Sequence, residues 1–202
     1  MQLLSDSSEH EMIATFLRAE LASERFGPKL HALLHGDGVG ERVIAAPNLT
    51  SDAENEYRRV LLGTFRGYGN NRELFAGFPS TLAWHRVALA PAELLTIRYI
   101  NYDYWVSLSG GTRLPSDAAR AIRQGRRVFD VPSDGFFRIT RALRRGAQFP
   151  ELICVRKDAD APLVVLEGHL RLTAYALAPE MIPTPIAILL GTAPEIASWG
   201  CY

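Results

Sequence analysis

The stretch Leu163-Val164-Val165-Leu166-Glu167-Gly168-His169-Leu170-Arg171-Leu172-Thr173-Ala174-Tyr175 concentrates more chemistry than any other part of this 202-residue chain. A strand-like apolar run ends in a carboxylate, a glycine permits a tight turn, and a helix pattern opens with an imidazole and a guanidinium. The first N–H groups of a helix lack intrahelical acceptors, and the helix dipole makes that end attractive to anions. Acids usually occupy a first turn, so Arg171 there calls for a negative partner. A bound phosphate meets that need through paired hydrogen bonds from the guanidinium. By spacing alone, an internal Glu167–Arg171 pair with His169 as a polar surface residue meets it as well.

Other constellations are weaker. Ser109-Gly110-Gly111-Thr112-Arg113 has the composition of a phosphate nest, with Arg113 at its end, but it lacks a Lys-Ser/Thr ending and reads equally as an ordinary turn. His31 and His35 stand four apart before Asp37, yet no glutamate follows His31, so the zinc-protease pattern is absent. Tyr99, Tyr102, Tyr104 and Trp105 could stack a base. Core packing for Trp105, with tyrosine hydroxyls at the surface, is the simpler expectation. Cys154 and Cys201 form no CxxC pair, which argues against a disulfide framework or a structural zinc site.

The charge balance, 22 basic against 22 acidic side chains, disfavours a long nucleic-acid track. Its distribution leaves room for a small anion. Residues 1–75 carry 8 basic and 11 acidic groups, whereas Arg113–Arg145 holds nine arginines against three aspartates. Arg120, Arg123 and Arg127, then Arg138, Arg141 and Arg145, recur at helical spacing. They read as a solvated face or as a surface for DNA or an acidic protein. No secretory signal is expected from the opening MQLLSDSSEHEM, and the aliphatic runs are strand-sized, so the expectation is a cytoplasmic protein without a membrane segment.

The elements that must position the turn follow from periodicity. Helices are expected over about Ser8–Arg25, on to Leu34 after Gly27-Pro28, from Ser51 with Glu54 at capping-box spacing, from Pro91, over Pro115–Gln124 and over Asp134–Arg145. A short strand is expected at His85–Leu89 and an antiparallel hairpin at Glu151–Arg156 and Pro162–Glu167. A helix of about ten residues after Gly168, a strand at Pro185–Leu190 and a short helix at Pro194–Trp199 complete the chain. This predicts an α+β fold with a small mixed sheet in residues 76–202. Residues 1–75 form a helical N-terminal extension, a candidate oligomer interface.

From about Phe137 to Gly191 the chain resembles the ParB/sulfiredoxin superfamily. The resemblance is carried in order by Arg144-Arg145-Gly146, Phe149-Pro150-Glu151-Leu152-Ile153-Cys154-Val155, the hairpin, the Glu-Gly-His-Leu-Arg turn, its helix and the strand Thr184–Leu190. It implies nucleotide binding at the turn: Gly168 shapes it, His169 and Arg171 contact phosphates, and Thr173 adds a hydroxyl. Sulfiredoxins need a cysteine after the glycine, where His169 stands, so sulfinate reduction is not expected. Chromosome-partitioning ParB proteins carry Gly-Glu-Arg-Arg here. The Asp-Gly-His-x-Arg turn of the family's free-serine kinases is nearer, with Glu167 replacing the aspartate. The resemblance thus implies a nucleoside di- or triphosphate with Mg²⁺ and leaves phosphoryl transfer or nucleotide hydrolysis open. For such chemistry Glu167 is the candidate for orienting His169 or ligating Mg²⁺, and Glu93 the candidate base. The alternative is a non-catalytic DNA- or protein-binding module that uses the Arg113–Arg145 segment.

Overall fold

Alternation along three strands, each apolar on both faces, sets the architecture. In β3 (Leu152–Arg156), Ile153 and Val155 face one side and Leu152 and Cys154 the other. β4 (Val164–Glu167) divides Val164 and Leu166 from Val165, and β5 (Ile186–Thr192) divides Leu189 from Ile188 and Leu190. A period of two with both sets buried requires cover on both faces of the sheet. The computed structural model describes residues 1–202 and has that cover: nine helices around a five-stranded mixed sheet, an α+β fold.

β1 (Gln2–Asp6) and β2 (Ala83–Leu89) complete the sheet in the order β1-β2-β5-β3-β4. All neighbours pair antiparallel except β5 and β3, which run parallel. One face carries α5 (Pro91–Leu94), α6 (Asp103–Leu108), α7 (Pro115–Arg123), α8 (Asp134–Arg144) and α9 (His169–Leu177). The other carries α1 (Glu9–Leu21), α2 (Gly27–Gly36), α3 (Arg42–Ala45) and α4 (Asp52–Arg66). Ser8 and Ser51 cap α1 and α4 by accepting from the N–H groups of Glu11 and Glu54.

Residues 1–75 therefore are not an extension beside the fold. They supply the edge strand and the second helical layer, and Met12, Phe16, Leu62 and Phe65 share one core with Ile153, Val155, Leu166 and Leu189 of the sheet. The division at residue 75 corresponds to no gap in packing. The apolar faces of α1 and α4 are spent inside the chain. No helix is long and apolar enough to cross a membrane.

Candidate anion-binding site

Gly168 turns β4 into α9. Its φ is +108°, the left-handed region that L side chains avoid, and a Cβ there would lie 2.3 Å from Leu152 Cδ2 and 3.1 Å from Arg171 Nη2. Having no side chain, Gly168 cannot cap the first N–H groups of α9. Both conformation and close packing demand glycine.

Arg171 is almost fully buried, at 7% exposure. Its Nη2 lies 3.2 Å from Glu167 Oε1, and Nη1 donates to the carbonyl oxygens of Pro150 and Glu151. The ion pair expected from the i,i+4 spacing is present. It does not exhaust the guanidinium, because Nη2 is sealed from solvent and lacks a partner in hydrogen-bonding geometry.

His169 is half-buried, with its ring stacked on aromatic neighbours. Its ring lies 5.0 Å from that of Trp105 and 6.2 Å from that of Tyr99, with planes 20° and 14° from parallel. Burial, reinforced by Arg66 and Arg171, pushes its pKa down to about 3, so the imidazole is neutral at pH 7. Its Nε2 is the second buried polar atom of the turn without a partner. Thr173 sits beneath the stack, donating to the His169 carbonyl at 2.7 Å and sharing a 2.7 Å hydrogen bond with the Tyr99 hydroxyl. Thr173 braces the aromatic stack instead of offering its hydroxyl to a ligand. Tyr99, expected to carry its hydroxyl at the surface, is fully buried.

Two expected residues lie elsewhere. Arg113 donates through Nε to the Tyr99 carbonyl and through Nη1 to that of Tyr202, each at 2.7 Å. It pins the chain's last residues against the Tyr99 segment, and its fork is spent on carbonyl groups. Glu93 accepts from Ala90 N–H at the start of α5 and pairs with the Met1 amino group. Nothing in that capping arrangement brings it to the turn.

The helical layer adds a carboxyl that sequence reasoning missed. Glu20, on α1, is 5% exposed and pairs with Arg66 at the end of α4. Burial and the negative charge of Glu167 outweigh Arg66 and Arg171 and raise its pKa to about 8. The signal was available: Glu20 continues the stripe of Ile13, Phe16 and Leu17, where a carboxylate is out of place. Glu20, Arg66, Glu167, Arg171 and His169 thus form one electrostatically coupled group joining the two halves of the chain.

No three acidic, histidine or cysteine side chains converge in the chain, and Glu167 faces the Arg171 guanidinium. Glu167 serves here as counter-ion to Arg171.

The fold is of the α+β class, and the site is a glycine turn into a helix start lined by buried cationic and aromatic groups. No protein-family model, curated protein or solved structure matches the chain.

Proposed function

We propose that this chain is a nucleotide-binding domain of ParB/sulfiredoxin type that holds phosphate at the Glu167–Arg171 turn. The observation that carries the reading is His169 Nε2, a buried polar atom without a partner, beside the Arg171 guanidinium and the uncapped N–H groups of α9. Buried polar groups are normally paired, and an unpartnered one at a helix start, beside a guanidinium and free N–H groups, suits an anionic ligand. The order α8, β3, β4, turn, α9, β5 supports the superfamily reading. Neutral His169 offers a hydrogen bond and not a charge, so the fixed positive charges are those of Arg171 and Arg66. Magnesium would arrive on the nucleotide. With Glu167 and Glu93 both engaged, the proposal is for binding and assigns no catalytic base.

A nucleoside di- or triphosphate with Mg²⁺ at millimolar concentration is expected to raise the melting temperature, and Arg171→Ala to remove the effect. An unchanged melting temperature with every common nucleotide would overturn the proposal.

A second reading, a DNA- or acidic-protein-binding surface in Arg113–Arg145, is favoured by the link between α7 and α8. Phe129 is 67% exposed there, on a turn whose Phe129 and Asp130 both have positive φ, directly after Arg126 and Arg127. Several arginines of the segment are already engaged: Arg120 by Asp117, Arg123 by the Leu177 carbonyl, Arg138 by Glu24 and Arg144 by Glu180. Salt-dependent DNA binding that survives Arg171→Ala and weakens on Arg126→Ala and Arg141→Ala would favour this reading over the first.

A further inference from the structure

A cleft of about 300 Å³ is lined by Phe149, Pro150 and Glu151, the last two being residues whose carbonyls Arg171 holds. Its floor is one face of α1, with Glu11, Thr15 and Arg18, and its walls are the segments around Leu49 and Phe149. Both walls are held from behind by buried arginines. Arg58, fully buried on α4, donates to the carbonyls of Val43 at 2.9 Å and Asn48 at 3.1 Å. Asn55 adds a 2.8 Å bond to the Leu49 carbonyl, and Glu54 accepts from Asn48 N–H at 3.0 Å. On the other wall, Arg171 holds the carbonyls of Pro150 and Glu151. Walls fixed in this way give a preorganised recess.

The carboxylates at its base are already matched, and one cationic group is not. Arg86 bonds both carboxylate oxygens of Glu151, at 2.9 and 3.1 Å, and also bonds Glu11, whose second oxygen accepts from Ser7. Arg18 is the unmatched cation. Its Nε is shut off from solvent and has no hydrogen-bond partner. Glu11, Arg86 and Glu151 together leave one negative charge that Arg18 balances, so the recess is neutral overall with a single unsatisfied cationic donor.

We propose that this cleft binds a small organic carboxylate, its anionic end on Arg18 and its apolar body against Leu49 and Phe149. The volume lies at the lower end of ligand pockets, which selects a small molecule. The single free guanidinium among satisfied carboxylates selects one anionic group, and the Leu49 and Phe149 walls select an apolar remainder. The site is distinct from the Glu167–Arg171 turn and does not depend on nucleotide binding there.

The test is an NMR titration of the full chain with 3-phenylpropionate, following the Arg18 Nε–Hε resonance and the Phe149 and Glu151 amides. Uncharged 3-phenylpropanol runs in parallel. A saturable shift at Arg18 is expected, with the alcohol and the Arg18→Gln variant each binding about 10-fold or more weakly, as loss of a charged hydrogen bond predicts. Shifts that do not saturate at millimolar carboxylate would overturn the proposal, as would an alcohol that binds equally well. The comparison of acid with alcohol uses the unaltered protein, so it holds whether or not the variant folds.

Discussion

Glu167 Oε1 and Arg171 Nη2 lie 3.2 Å apart across the Gly168 turn, one residue closing β4 and the other in the first turn of α9. The pair lets a buried guanidinium reach backward through Nη1 to the Pro150 and Glu151 carbonyls while Nη2 faces the Glu167 carboxylate. Arg171 is thus both a structural clamp and the strongest cation at the turn. Removing it strands Glu167 and frees two buried carbonyls. Arg171→Ala is expected to destabilise the protein by about 3–5 kcal/mol, the cost of breaking a buried ion pair. Arg171→Lys should recover only part of this, because an ammonium lacks the fork. Urea unfolding of the variants checks both.

The glycine preceding His169 is constrained twice, by backbone and by packing. Gly168→Ala is expected to cost about 1–3 kcal/mol from the positive φ alone, with the approach to Leu152 adding to it. A lowered melting temperature is the readout. Wild-type stability in this variant would contradict the described turn.

Glu20 supplies a pH test. Its pKa is near 8 in the folded chain against 4.5 for the free side chain, so the folded state binds the extra proton. That contribution is fully present below about pH 4.5 and is lost as pH rises through about 8. Glu20→Gln should therefore match the wild type near pH 5 and exceed it in stability at pH 8. Urea midpoints across that range decide it, and parallel pH profiles for the two proteins would contradict the burial of Glu20.

His169 titrates in the opposite sense. Its pKa is depressed to about 3, so its contribution to stability is present above about pH 6.5 and is lost as pH falls through about 3. Imidazole NMR shifts should stay flat between pH 5 and 8. His169→Phe keeps an aromatic ring against Trp105 but removes Nε2. It is expected to remain folded while nucleotide affinity drops about 10-fold, the loss of one hydrogen bond.

Helices and the hairpin were legible because their periodicity is strong. α1, α4, α7 and α8 begin within a residue or two of expectation, and β3 and β4 fall inside the expected hairpin. β1 was not legible, since every residue of Gln2–Asp6 is exposed and only pairing with β2 makes it a strand. The role of residues 1–75 was hidden for a related reason. An amphipathic helix declares that it has an apolar face, and not which sheet that face will cover. At the turn, the need for Gly168 and the Glu167–Arg171 pair were readable from one short segment. Glu20 and Arg66 were not joined to it, because they are separated from it by more than 100 residues of chain. The string Glu54-Asn55-Glu56-Tyr57-Arg58 lies near the start of α4. Three of its side chains prove to anchor the loop that walls the α1 cleft.

Backbone N–H groups at the start of α9 are the part of the site that no side-chain exchange can confuse. The most direct measurement is an amide NMR titration of the wild-type chain with a nucleoside triphosphate and Mg²⁺. Binding at the turn predicts that the largest saturable shifts fall on His169, Leu170 and Arg171, with the Arg126, Arg127 and Arg141 amides unmoved. Shifts confined to those arginines, or none at millimolar nucleotide, would contradict it.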